Sequence, residues 1–174
     1  MSHSLTPAAP LHPHLQIPES LRIAPKVLCH ATSLRKATRR ISQLYDAVLA
    51  PCGLRSTQRS ILIQIARSQA PALTELAAIL VIDRSALAQN LKPLEREGLI
   101  AVSVDPEDKR SRRVNLTQAG LDKLLESQAL WEQAQQCFET SLGIEQAREL
   151  RELLARVAAL DYGDSCSVQT AQNL

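Results

Sequence analysis

The sequence predicts a mainly α-helical chain with one small two-stranded hairpin. Three observations carry this expectation. Apolar residues make up 45% of the 174 positions and aromatic residues only 2%, an aliphatic, alanine-rich composition that favours helix over sheet. Leucine-rich stripes at three- and four-residue spacing recur along most of the chain. Only beyond Gly98 does that pattern give way to two strand-like runs around a charged loop. At this length one domain with a real core is expected.

Residues 1–20 hold four prolines and three histidines with little periodicity, and read as a mobile arm. His3, His12 and His14 belong to that tail rather than to a metal site. A first long helix begins at Ile23 or Lys26 and runs to Leu49, because Leu34, Ala37, Ile41, Leu44 and Val48 repeat at helical spacing. Pro51, Cys52 and Gly53 end it. Ser56 or Thr57 opens a second helix with Ile61, Leu62 and Ile65 inward, and Pro71 precedes the central motif. Leu73, Leu76, Ala77 and Leu80 form a third stripe, with Thr74 as N-cap. Asp83 or Ser85 caps a fourth helix whose inward stripe is Leu87, Leu91 and Leu94. Gly98 stops it in the left-handed conformation. Pro93 inside this helix removes one N–H and frees the carbonyl of Gln89, which predicts a local bend.

Leu99–Val104 and Arg113–Thr117 then form strands around a loop from Asp105 to Arg110. The whole is a helix-turn-helix with a β-wing, at about 54–117. One long helix follows, from about Gln118 to Ser141, and Gly143 breaks it. A last helix, Ile144–Leu160, carries Ala147, Leu150, Leu154 and Val157. Neither C-terminal helix can bury its stripe against a small winged unit alone. The expected solution is a two-fold dimer built by helices at about 22–50 and 118–161. Residues 21–161 thus form one domain, and 162–174 a C-terminal tail. Charge agrees: residues 22–45 carry six bases and no acid, whereas 119–161 carry eight acids against four bases.

The face opposite the leucines of the fourth helix indicates a use. With Leu87, Leu91 and Leu94 inward, Ser85, Ala88, Gln89 and Lys92 point outward together. Gln pairs with adenine, Ser with several bases, Ala touches a thymine methyl, and Lys neutralises phosphate. The wing tip concentrates Lys109, Arg110, Arg112 and Arg113, suited to the backbone or to a narrow minor groove. Net charge is only +2, so the case for nucleic acid rests on this local charge.

The ordered run RSALAQNLKPLEREGLI, followed by DPEDKRSRRVNLTQAG, resembles the MarR family of winged helix-turn-helix regulators. The chain supplies Arg84, Ser85, Leu91, Leu94, Glu95, Gly98, Leu99, the pair Asp108/Arg110, Leu116, Thr117 and Gly120 of that pattern. The resemblance spans residues 27 to 160. It implies a sequence-specific DNA-binding transcriptional regulator, repression being the first expectation, acting as a homodimer on a pseudo-palindromic operator. Its two recognition helices would enter successive major grooves about 34–36 Å apart. The DNA-contacting set becomes Arg84, Ser85, Ala88, Gln89, Lys92, Lys109, Arg110 and Arg112. By the resemblance, Arg110 is expected to be the wing arginine that enters the minor groove, with Asp108 orienting it. The resemblance also implies a small-molecule effector where the dimerisation helices meet the winged unit. His30, Ser33, Arg39, Tyr45 and Trp131 are the unusual side chains there, and suit an aromatic or phenolic acid.

A thiol-based alternative ranks second. Cys29 lies near the position of the reactive cysteine in the family's organic-hydroperoxide-sensing branch, and Cys137 is a candidate resolving partner. The alignment is two positions off, and that branch's neighbouring tyrosines are absent. An effector-independent architectural DNA-binding protein is a further alternative. An enzyme is not expected: Cys29 and His30 project about 100° apart on a helix, and no paired carboxylates, phosphate loop or oxyanion motif is visible. The four cysteines lack metal-site spacing, so neither metal nor cofactor is expected. Without a signal peptide or an apolar run of ~18 residues, a cytoplasmic protein with no membrane contact is expected.

Overall fold

A computed structural model of the chain describes residues 29–161. The expected N-terminal arm with its three histidines, the expected helix start at Ile23 or Lys26 and the expected tail from 162 lie outside the described residues. The elements run α1 (His30–Leu49), a 3₁₀ turn (Ala50–Cys52), α2 (Ser56–Ser68), α3 (Leu73–Ile79), α4 (Arg84–Arg96), β1 (Ile100–Val104), β2 (Arg112–Leu116), α5 (Gln118–Glu126), α6 (Gln128–Leu142) and α7 (Ile144–Ala158). The chain divides into two compact units with the boundary between Thr38 and Arg39, inside α1. Among the described residues, the first unit holds Cys29 and the exposed opening turns of α1. The second holds the rest of α1 and all later elements.

The core of the second unit is aliphatic, as the composition requires. Leu49, Leu54, Ile61, Leu62, Ile65, Leu76, Leu87, Leu91, Leu94, Leu99, Ile100, Val114 and Leu124 are buried in one cluster. These are the inward stripes of α2, α3 and α4, closed by the root of the hairpin. Burying each leucine contributes roughly 1.5–3 kcal/mol, so the periodic stripes dictate the arrangement.

Local chemistry sets the boundaries. The backbone N–H and hydroxyl of Ser56 both donate to Asp46 Oδ1, at 2.7 and 2.6 Å, which ties the start of α2 to α1. The expected cap at Thr74 is not used. Glu75 Oε2 accepts the N–H of Ala72 at 3.3 Å, the helix begins at Leu73, and Thr74 is exposed within its first turn. Gly98 (φ +72°) ends α4, its N–H donating to the Glu95 carbonyl while that of Leu99 reaches Leu94, a Schellman closure. Pro93 lies inside α4 without interrupting it, because the helix continues to Arg96.

β1 and β2 pair antiparallel, from Ile100 opposite Leu116 to Val104 opposite Arg112. The extended residues before α3 add to the outer edge of β2. Val114 donates to the Pro71 carbonyl at 3.0 Å, and Ala72 bridges Arg113.

The long helix expected over 118–141 is broken at Ser127 into α5 and α6. Ser127 is fully buried, and its hydroxyl donates to the Leu124 carbonyl at 2.7 Å while accepting Arg59 Nε at 3.1 Å. A serine bonding back onto its own helix competes with the regular ladder and bends it. Gly143 separates α6 from α7 as expected, and Arg151 pairs with Glu139 at 3.1 Å to hold α7 against α6. No helix among the described residues is long and apolar enough to cross a membrane.

Candidate nucleic-acid interface and adjoining cleft

α4 presents the outward face that its leucines leave. Leu87, Leu91 and Leu94 are buried, while Arg84, Ser85, Gln89 and Lys92 are exposed and Ala88 half-buried. Its first turn is set by Asp83, whose Oδ1 accepts the Ala86 N–H at 2.8 Å and the Ser85 hydroxyl at 2.5 Å. These bonds hold the Asp83 carboxyl below the ordinary carboxylate range, the serine hydroxyl contributing most. Asp83 is thus the cap. The Ser85 proton is committed to it, which leaves that oxygen able only to accept. A groove of about 430 Å³ flanks the helix, lined by Gln89, Asn90 and Pro93 on α4 and by Arg55, Thr57 and Gln58 at the start of α2.

In the wing, Lys109, Arg110 and Arg112 are exposed, and none has an ion pair among the described residues. Arg113 differs. Its Nε donates to Asp105 Oδ2 at 2.8 Å and its Nη1 to the Ala70 carbonyl at 3.2 Å, so this fourth wing cation is committed inside the fold. Asp108 takes the backbone N–H of Arg110 at 3.0 Å. It therefore shapes the turn that carries the arginine.

A second concavity, about 350 Å³, lies between α1, α2 and α6, lined by Tyr45, Arg59, Ser60, Arg67, Gln128 and Trp131 among others. Arg59 is only 6% exposed. Its hydrogen bonds go to neutral groups, Ser127 Oγ and Gln128 Oε1 (2.8 Å), and its guanidinium stacks over Trp131 with 4.7 Å to the ring centroid. Burial lowers its pKa from the ordinary arginine value. Tyr45 donates to Gln135 Oε1, and burial, helped by Glu139, raises its pKa. The cleft brings Tyr45 and Trp131 together. Arg39 is exposed elsewhere on α1, and His30 and Ser33 are exposed in the N-terminal unit. Cys29 is exposed just before α1, its thiol held below the ordinary value by the backbone and hydroxyl of Thr32. Cys137 is exposed on α6.

The MarR family model matches residues 54–111. The M. tuberculosis transcriptional regulator MosR, solved in complex with DNA, is 32% identical over 76% of this chain and 100% of its own, with a TM-score of 0.65. The chain belongs to the MarR family. It is a DNA-binding transcriptional regulator of that family. The repressor CouR, bound to a 23-mer DNA duplex, is 25% identical over 84% of this chain and 99% of its own (TM-score 0.68). Bordetella bronchiseptica BpsR, whose DNA binding is regulated by 6-hydroxynicotinic acid, shares the fold at 24% identity over 76% of this chain and 95% of its own, with a TM-score of 0.69. No curated protein matches.

Sequence reasoning missed Arg59, Arg67 and Arg55 of this MarR-family chain. For Arg59 a signal existed. It falls three residues before Leu62, on the inward stripe of α2, where a charge has no ordinary reason to sit. Arg55 and Arg67 carry no such mark, since exposed arginines at helix ends are commonplace.

Proposed function

We propose that the chain is a homodimeric repressor that reads a pseudo-palindromic operator and leaves it when an aromatic or phenolic carboxylate enters the Arg59 cleft. The observation that carries this reading is the buried guanidinium of Arg59, which is ion-paired to no carboxylate among the described residues, feels Glu132 only at longer range, and stands against Trp131 and near Tyr45. A buried charge needs compensation, and an aromatic anion supplies both a carboxylate for the fork and a ring for the indole. BpsR supports the chemistry and CouR the repression.

The dimer is supported by apolar surface left open on the last helices and just beyond them. Leu142, Leu153, Leu154 and, past the end of α7, Leu160 are exposed, and Ile144 is 74% exposed. Such a stripe is buried most simply against its own two-fold copy. Arg84, Ser85, Ala88, Gln89 and Lys92 then serve the major groove, Arg110 the minor groove, and Lys109 and Arg112 the phosphates. Ligand occupancy acts through the spacing of the two α4 helices, and only differential affinity for the two spacings shifts the equilibrium.

Fluorescence anisotropy with a duplex from the promoter next to the gene, against a scrambled duplex, tests the reading. Selectivity of roughly 10³ or more is expected at physiological salt. Equal affinity for both duplexes would replace it with the architectural alternative. Arg110→Ala is expected to weaken operator binding by about tenfold or more while leaving dimer mass and helicity unchanged.

The thiol reading stands second, favoured by the exposed Cys29 and its lowered pKa. Under it, cumene hydroperoxide releases DNA from the native protein but not from Cys29→Ser. Release from both ends that reading.

A further inference from the structure

The wing tip carries the cations but makes almost no attachment of its own. Pro106 to Arg110 are all exposed. Within the loop, Asp108 accepts the Arg110 N–H, and Ser111 donates its N–H to the Asp108 carbonyl at 2.8 Å. Among the described residues, Asp105 is the one side chain of the loop 105–111 bonded outside it.

Asp105 is only 5% exposed, and its two oxygens do different work. Oδ1 accepts the Glu107 N–H at 3.0 Å and so orders the first turn of the tip. Oδ2 accepts Arg113 Nε at 2.8 Å. Arg113 passes the link on through Nη1 to the carbonyl of Ala70. That carbonyl belongs to a corner where Gln69 (φ +52°) and Ala70 (φ +65°) both sit in the left-handed region. The same corner holds the hairpin by its backbone, through Val114 to Pro71 and the Ala72–Arg113 bridge. One carboxylate thus connects the tip to the α2–α3 corner. A two-stranded ribbon is marginal alone and twists freely, so its tip direction depends on what grips its root.

We infer that Asp105 and Arg113 form a clamp that aims the wing tip, and are positioning residues for the minor-groove contact of Arg110. This rests on the reading of Arg110 given above. The clamp makes a prediction opposite in sign to simple electrostatics. Asp105→Asn removes an acid from the DNA-facing wing, and charge alone would tighten binding. A clamp predicts weakening, because an amide whose carbonyl oxygen still accepts the Glu107 N–H turns its NH2 toward the Arg113 N–H, donor against donor, and that bond is lost.

The test is a double-mutant cycle on promoter duplex affinity, at fixed salt, with thermal melting and dimer mass measured alongside. Asp105→Asn is expected to weaken binding about fivefold in the native background, Arg110→Ala about tenfold or more, and the double variant no further than Arg110→Ala. Arg113→Lys keeps the charge but not the fork, and is expected to repeat the pattern, which keeps the test open if Asp105→Asn folds poorly. Unchanged or tighter binding by both clamp variants overturns the inference. So does a loss of equal factor in both backgrounds, which marks general destabilisation. Undiminished affinity of Arg110→Ala instead removes the wing contact itself, and the clamp with it.

Discussion

Gly120→Ala is expected to lower folding stability by about 3 kcal/mol, against a helix propensity that alone would raise it by about 1 kcal/mol. Gly120 lies in the first turn of α5, buried against the end of α4's closing turn. A Cβ there would stand on the carbonyl oxygen of Leu99, deep inside contact distance, and 2.8 Å from Leu116 Cδ1. The leucine side chain can yield; the carbonyl cannot. It accepts the Thr117 N–H at 3.1 Å, and Thr117 in turn donates to the Gly98 carbonyl at 2.6 Å and accepts the Gly120 N–H at 3.0 Å. Moving α5 away breaks this set and loosens the seat of the hairpin on α4. Urea denaturation reads the effect as a lower midpoint at unchanged slope. A midpoint equal to or above the native one would show that the close approach carries no constraint.

The same glycine shows what was legible in the sequence and in what sense. In the sequence Leu116, Thr117 and Gly120 stand only as a spacing, and the structure supplies the cause: a capping threonine and a helix pressed onto the backbone of Leu99. The stripes of α2, α3 and α4 were readable because periodicity of 3.6 residues survives any tertiary context. The winged helix-turn-helix followed from them, with strand ends falling within a residue of those expected. Ser127 was not readable. Its neighbours Leu124, Leu125 and Trp131 continue the helical pattern, and nothing in that pattern shows that the Ser127 hydroxyl turns back onto the Leu124 carbonyl and meets an arginine 68 residues away. The start of α3 differs from the expected one because Thr74 is a better cap than Ala72 by type, yet Glu75 satisfies the Ala72 N–H instead. Counting Arg113 among the wing cations failed for a similar reason. Its partners, Asp105 and Ala70, lie on two different loops, and charge counts along a chain carry no information about either.

Arg59→Met is expected to leave operator affinity within a few-fold of native while raising the concentration of benzoate or salicylate needed for release by roughly 10–100-fold, the equivalent of about 1.5–3 kcal/mol for a charged hydrogen-bonded contact. The variant tests whether the buried guanidinium is there for the ligand or for the fold. As a fold element it is a poor choice. It bears a desolvation cost and repulsion from Arg67, and it receives in return two bonds to neutral side chains, the face of Trp131 and the field of Glu132, which reaches it without an ion pair. Replacing such a charge by an apolar chain of similar volume is often neutral or stabilising. Ser127 keeps its bond to the Leu124 carbonyl after the change, so the α5–α6 bend does not depend on Arg59 alone. If Arg59 serves the fold instead, Arg59→Met melts early and binds operator poorly, with the effector response unchanged in what remains. If it serves the ligand, melting is near native and release alone is lost. Arg67, the other arginine of the cleft, supplies the contrast: exposed at the end of α2, its replacement by Met should shift release much less, because a screened surface charge contributes little beside a desolvated one.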